Sequence, residues 1–334
     1  MKVADMHCDT IAEIYARRAE GKECGILENE LHMDLKKMEQ GDYLLQNFAI
    51  FAHMENLKGV MSLPEYAFRL ADIFLTEMRK YPDRIGIAKS YRDIEENMEK
   101  GRISAVLTME EGAVFEGKTE YLRIFYELGV RMCTFTWNFP NELAWPNRIS
   151  MADGQFETET EKGLTEKGLE FLAEMERLGI LADVSHLGDR GIYDVIRHST
   201  RPFVASHSDA RAVCGHVRNL TDDMIRGIAE KGGVIGMNYC PSFLRNQEEW
   251  GNPGNDSHVS LDDVVRHIRH IMNVGGIDVV GLGSDFDGTP ISFEMKGAQD
   301  MQMLADKLAA EKFTDSEIEK IFYKNVLRVY REVL

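Results

Sequence analysis

Five apolar stretches between residues 3 and 284 each run into a histidine or a carboxylate, and this pattern limits the fold of the chain more than any other feature. The first is Val3-Ala4-Asp5-Met6-His7-Cys8-Asp9-Thr10, read as a short buried strand. Side chains alternate faces along a strand, so His7 and Asp9 point one way and Cys8 the other. An imidazole beside a carboxylate suits a divalent metal of borderline-soft character, although one His-x-Asp by itself is more often a hydrogen-bonded pair. The pattern then repeats. Residues 103–109 run into Glu110, 180–185 into His186, 202–206 into His207 and 279–284 into Asp285.

Three further apolar stretches, 46–53, 130–137 and 232–239, bring the strand candidates to eight. Helical periodicity fills most of the intervals. A helix is expected over 11–20 and another over about 63–81, where Pro64 is tolerated in the first turn. Tyr121–Leu128 is stopped by Gly129, and a Thr165-capped helix carries Leu169, Leu172, Met175 and Leu178 on one face before Gly179. Near the C-terminus, Thr314 and Glu317 have the spacing of a capping box. Strands alternating with helices predict an α/β chain, a (β/α)8 TIM-like barrel formed as one domain over residues 1–334. A doubly wound open sheet is the alternative. Residues 138–163 are polar and long enough to form a functional loop over one end.

In a barrel the C-terminal strand ends meet on one rim, where active sites are built. His7, Asp9, Glu110, His186, His207 and Asp285 would then surround one pocket. That set exceeds the needs of one zinc and suits two metals about 3.5–4 Å apart with a bridging carboxylate and a bridging hydroxide. Glu111 competes with Glu110 as ligand, and Asp287 shares a face with Asp285. Asp183 is either a supporting partner of a ligand histidine or a plain strand-end hydrogen-bonding group. His32, His53, His198, His216, His258, His267 and His270 fall mostly on helices or in loops and are expected at the surface or behind the site.

Composition narrows the partners. The net charge of −17 with no Lys/Arg-rich run argues against nucleic acid and against an anionic membrane surface. No apolar run approaches the ~20 residues that span a bilayer. Five irregularly spaced cysteines without a Cys-x-x-Cys pair read as reduced thiols, and the first residues lack a basic-then-apolar leader pattern. A cytoplasmic protein is expected.

At these residues the sequence resembles the membrane (renal) dipeptidase family, a branch of the amidohydrolase-type metal-dependent hydrolases. The matching pieces are His7-Cys8-Asp9, Met109-Glu110-Glu111-Gly112, Asp183-Val184-Ser185-His186, Ser206-His207-Ser208, Arg218-Asn219 and Gly283-Ser284-Asp285-Phe286-Asp287-Gly288, with Asn325-Val326-Leu327-Arg328-Val329-Tyr330 near the end. The resemblance implies a distorted (β/α)8 barrel with a binuclear zinc centre. His7 and Asp9 would hold one Zn2+, His186 and His207 the other, and Glu110 would bridge them. It also implies that Asp285 is the catalytic acid, that Arg218 holds the substrate carboxylate and that the chain forms a homodimer. Mammalian members carry a histidine where this sequence has Trp137. Either Asn138 takes over its contact with the substrate, or the pocket is built for a different substrate.

The expected activity is hydrolysis of small dipeptides, including those with a D-residue at the C-terminal position, by a zinc-bridging hydroxide. Asp285 would move the proton from water to the departing amine, and Arg218 would clamp the terminal carboxylate with two parallel hydrogen bonds. Removal of an acyl group from an N-acyl amino acid, or hydrolysis of another amide or lactone, is the alternative at the same site. A metal-binding protein without catalysis is the non-enzymatic one.

Overall fold

The computed structural model describes residues 1–149, 156–246, 259–291 and 293–334. Eight parallel strands form a closed ring in chain order. They are β1 (Val3–Asp5), β2 (Tyr43–Phe51), β3 (Ile103–Glu110), β4 (Val130–Thr134), β5 (Leu181–Asp183), β6 (Val204–Ala205), β7 (Val234–Met237) and β8 (Val280–Leu282). β8 returns to β1 through the pair Asp5 and Leu282, so the ring has no open edge. This is the expected (β/α)8 barrel rather than the open sheet.

Parallel strands are covered on both faces, and that is why these segments read as nearly unbroken apolar runs. The inward layer includes Ala4, Met6, Leu45, Val106, Met132, Leu181, Val204 and Val234. Val326, Val329, Tyr330 and Val333 of the helix Asn325–Val333 pack against that layer. The Tyr330 hydroxyl donates to Asn47 Oδ1 at 2.7 Å, and Asn47 Nδ2 donates to Met6 O at 2.9 Å. This satisfies a polar side chain buried in the middle of β2. Tight approach at β6 depends on two glycines. A Cβ on Gly236 or Gly283 would lie 2.0 or 1.7 Å from Ser206 O.

The barrel is uneven, as expected of a distorted one: β2 has nine residues and β6 only two. The first strand is shorter than its apolar run predicts. Beyond Asp5 the chain still pairs singly, with Asp9 N donating to Phe286 O at 2.9 Å and Ala49 N to Cys8 O at 3.0 Å. A short strand, Ile85–Ile87, pairs with the first residues of β3 and is not anticipated by the sequence. The helices largely follow their caps. Thr165 Oγ1 accepts from Gly168 N at 3.0 Å, and Gly179 closes that helix at φ 77°. Within the long loop, Arg148–Ile149 pairs antiparallel with Phe156–Glu157. No helix among the described residues is long and apolar enough to cross a membrane.

Candidate metal centre

The C-terminal strand ends deliver the side chains singled out in the sequence to one mouth of the barrel. Four residues there hold left-handed backbone, unusual for side chains of their size: Glu111 at φ 101°, His186 at 69°, Asp285 at 61° and Asp287 at 70°. The bends turn His186 and Asp285 into the cavity just past β5 and β8. His7 and Asp9 share a face as alternation requires, with His7 Nε2 3.3 Å from Asp9 Oδ2. Cys8 turns the other way and donates its thiol to Asn47 O at 3.3 Å.

Glu110 stands between two groups of ligand-type atoms. Its Oε2 lies 3.3 Å from His7 Nε2, while its Oε1 lies 3.0 Å from His186 Nε2 and 3.7 Å from His207 Nε2. Asp285 Oδ1 is 3.8 Å from His7 Nε2. His7, Glu110 and His207, and again His7, Asp9 and Asp285, each offer ligand atoms within 4.8 Å of one another.

Proton placement shows what this cluster lacks. Asn138 Oδ1 can only accept, and it lies 2.9 Å from His186 Nδ1, so that nitrogen carries the hydrogen. Ser206 Oγ donates to Asp183 Oδ2 and sits 2.7 Å from His207 Nδ1, so it accepts from that N–H. Both Nε2 atoms are then bare lone pairs, 2.9 Å apart and facing Glu110 Oε1. Two imidazole lone pairs and a carboxylate oxygen converge there and repel one another unless Glu110 itself holds a proton. A cation is what relieves that repulsion, and the donor set of imidazole nitrogens and carboxylate oxygens suits zinc. Asp9 Oδ1 is also buried without a hydrogen-bond partner.

Burial sets the charge states. It pushes the His186 imidazole well below its usual range, helped by Arg218 and His7, and does the same for His207. Both are therefore held neutral, the form that binds metals. Burial also opposes charge on His7, yet Glu110 and Asp9 outweigh it and push that imidazole well up. The Glu110 and Asp285 carboxyls are raised, chiefly by burial.

The supporting contacts sort the remaining candidates. Asp183 reaches His207 only through Ser206, while its Oδ1 accepts from Ser185 N at 3.0 Å and Ser206 N at 2.9 Å. Asn138 lines the pocket and also orients His186. Glu111 faces away from the cluster, accepting from Ala113 N at 2.9 Å, Asn141 Nδ2 at 2.7 Å and Trp137 N at 3.3 Å. Asp287 accepts from Thr10 Oγ1 and from His32 N, both at 2.6 Å. His267 spans Ala210 N and Leu244 O at 3.0 Å each, a structural role. His258 lies outside the described residues.

Two partners went unnoticed in the sequence. Asn238, just past β7, donates from Nδ2 to Asp285 Oδ2 at 2.9 Å, and its Oδ1 accepts from Cys240 N at 2.7 Å. Asp5 Oδ1 accepts from His7 N at 3.1 Å and Ser284 N at 2.9 Å, tying β1 to the end of β8. Its position inside an apolar run marks it as a buried carboxylate in need of donors, a signal the sequence does contain.

Arg218 sits in the loop after β6, 6% exposed. It donates to His207 O at 3.2 Å and Ser208 Oγ at 3.4 Å, its Nε has no hydrogen-bond partner, and it forms no ion pair among the described residues. Asp285 and Glu110 favour its charge only from beyond contact distance, so a ligand carboxylate would be its first direct ion-pair partner.

Comparison with known proteins now decides the family. The sequence pattern of the membrane dipeptidases, peptidase family M19, matches residues 1–334. The chain belongs to this family. It is accordingly a metallopeptidase of the dipeptidase type. A protein encoded in the pqqA 5′ region of Klebsiella pneumoniae is 34% identical, over 75% of this chain and 89% of its own. An uncharacterised dipeptidase of Schizosaccharomyces pombe is 31% identical over 90% of this chain and 72% of its own. A metallopeptidase from Rhodobacter sphaeroides, solved with a phosphinate mimic of L-Ala-D-Ala, superposes with a TM-score of 0.87 at 26% identity, covering 100% of this chain and 99% of that one.

Proposed function

We propose that this membrane dipeptidase family member hydrolyses small dipeptides at a binuclear zinc centre, with His7 and Asp9 on one ion, His186 and His207 on the other, and Glu110 between them. The observation that carries the reading is the split carboxylate of Glu110, one oxygen toward His7 and the other toward two imidazole lone pairs that face each other. Two ions held there supply Lewis acidity that lowers the pKa of water toward neutrality and polarises a carbonyl oxygen.

The chain's own groups do the rest. Asn238 fixes Asp285 Oδ2, which leaves Oδ1 to take a proton from water and return it to the departing amine nitrogen. Arg218 receives the terminal carboxylate, which gives it a direct ion pair. The cavity is about 280 Å³, room enough for a dipeptide. The ligand of the Rhodobacter sphaeroides relative, a mimic of L-Ala-D-Ala, supports tolerance of a D-residue at the C-terminal position.

The test combines elemental analysis with a substrate panel. Two zinc equivalents per chain are expected, with activity lost on chelation and restored by zinc. A dipeptide panel with L- and D-residues at the C-terminal position is run beside N-acyl amino acids. Asp285→Asn should keep its metal and lose about 10²–10⁴-fold in kcat. Cleavage of the N-acyl amino acids alone would replace the dipeptidase reading, and near-normal turnover by Asp285→Asn would remove the proton-shuttle role.

A further inference from the structure

We propose that the rings of Phe51 and Trp137 form the subsite for the side chain of the substrate's N-terminal residue, so that the enzyme favours dipeptides whose first residue is bulky and apolar, above all aromatic. The inference rests on the dipeptidase reading above and adds which side chain the pocket selects.

The ladder between β2 and β3 places Phe51. It pairs directly with Glu110, and paired residues on adjacent parallel strands point to the same face. Phe51 therefore rises beside the carboxylate at the centre of the cluster. Trp137 comes from the segment after β4 and meets it, with ring centroids 5.1 Å apart and planes tilted by 55°. The same indole lies 5.9 Å from the His186 ring. Behind it stand His53 at 4.8 Å and Phe139 at 5.7 Å, so the wall is backed rather than loose. Both Phe51 and Trp137 line the cavity and are only half-buried, which leaves apolar ring surface facing the site.

Ring order around the barrel then orients the substrate. Strands pair in chain order, so β2 lies diametrically across from β6. Arg218 belongs to the β6 side and Phe51 to the β2 side, with Glu110 and the imidazoles between them. A dipeptide with its carboxylate on Arg218 and its scissile carbonyl at the ligand cluster extends its first residue toward the wall. Hydrogen bonds tie the wall to the strand ends: Glu111 Oε2, just past β3, accepts from Trp137 N at 3.3 Å, and neighbouring Asn138 holds His186. Glu13 lines the same cavity from the helix after β1 and disfavours an acidic first side chain. It already pairs with Arg17 at 3.6 Å, which weakens its pull on a cationic one.

The experiment measures kcat/KM of the zinc-loaded full chain on Gly-, Ala-, Leu-, Lys- and Phe-first dipeptides sharing one C-terminal residue. The Phe-first to Gly-first ratio is expected to be on the order of 10- to 100-fold. In Trp137→Ala that ratio should collapse by about tenfold or more, whatever happens to the absolute rates. Phe51→Leu, a milder change, should lower it several-fold and serves if Trp137→Ala does not fold. A ratio unchanged in the folded variants, equal losses for every dipeptide, or a preference for Lys overturns the subsite. Failure to hydrolyse any dipeptide removes the dipeptidase reading itself and the subsite with it.

Discussion

Replacing Arg218 with methionine separates two consequences of one buried charge. The guanidinium is 6% exposed, and its two hydrogen bonds, at 3.2 and 3.4 Å, are long for charged donors. A substrate carboxylate that meets it through two charge-assisted bonds, each worth about 1.5–3 kcal/mol net, gains about 3–6 kcal/mol. At about 1.4 kcal/mol per factor of ten, the loss in Arg218→Met amounts to about 10²–10⁴-fold in kcat/KM. Methionine preserves apolar packing against the Phe243 ring, 5.4 Å from the guanidinium carbon, and removes a charge that burial disfavours. The melting temperature of the metal-free variant should therefore stay level or rise. The assay compares a dipeptide with its C-terminal amide in both proteins, alongside calorimetry. Wild type should prefer the free acid strongly and the variant should treat the two alike. Equal losses on acid and amide would refute the clamp and leave Arg218 as a support for His207 and Ser208.

Ser206→Ala removes the hydroxyl that orients His207, and zinc affinity measured by competition with a chelator should fall about 10- to 100-fold; unchanged affinity refutes the role. Asn238→Leu frees Asp285 Oδ2, so kcat should drop about tenfold with KM and metal content unchanged, whereas a pure KM effect would assign Asn238 to binding. Burial raises the Glu111 carboxyl from 4.5 to about 7, so the native chain keeps a proton that the unfolded chain has released, and stability falls as pH rises through that window. In Glu111→Gln the melting temperature should fall less over that range, and parallel pH profiles for the two proteins would sink the argument.

The barrel was legible because strands buried on both faces leave apolar runs that interrupt helical periodicity. All eight barrel strands lie within or beside stretches marked in the sequence. Ile85–Ile87 was not, because three residues with a central glycine carry no measurable alternation. The ligand-type residues were legible for a related reason: a histidine or carboxylate that ends an apolar run stands out. Asn238 escaped because an asparagine after β7 looks like any strand-to-loop transition, and its role exists only through Asp285, far along the chain. Of the aromatic wall, Trp137 stood out only as a departure from the mammalian histidine, while Phe51 reads as an ordinary member of an apolar run. Only the ladder that sets Phe51 against Glu110 turns that ring toward the cavity.

The bent backbone at the rim has a consequence for how such a protein decays. At His186 and Asp285 the chain holds φ values of 69° and 61°, each at a cost of about 1–3 kcal/mol, because a side chain must be aimed across the opening. Glycine adopts that geometry without the cost. On the roles proposed for His186 and Asp285, a lineage released from selection on turnover would gain robustness by drifting to glycine at either position, and a sturdier, inert descendant would lie one substitution away.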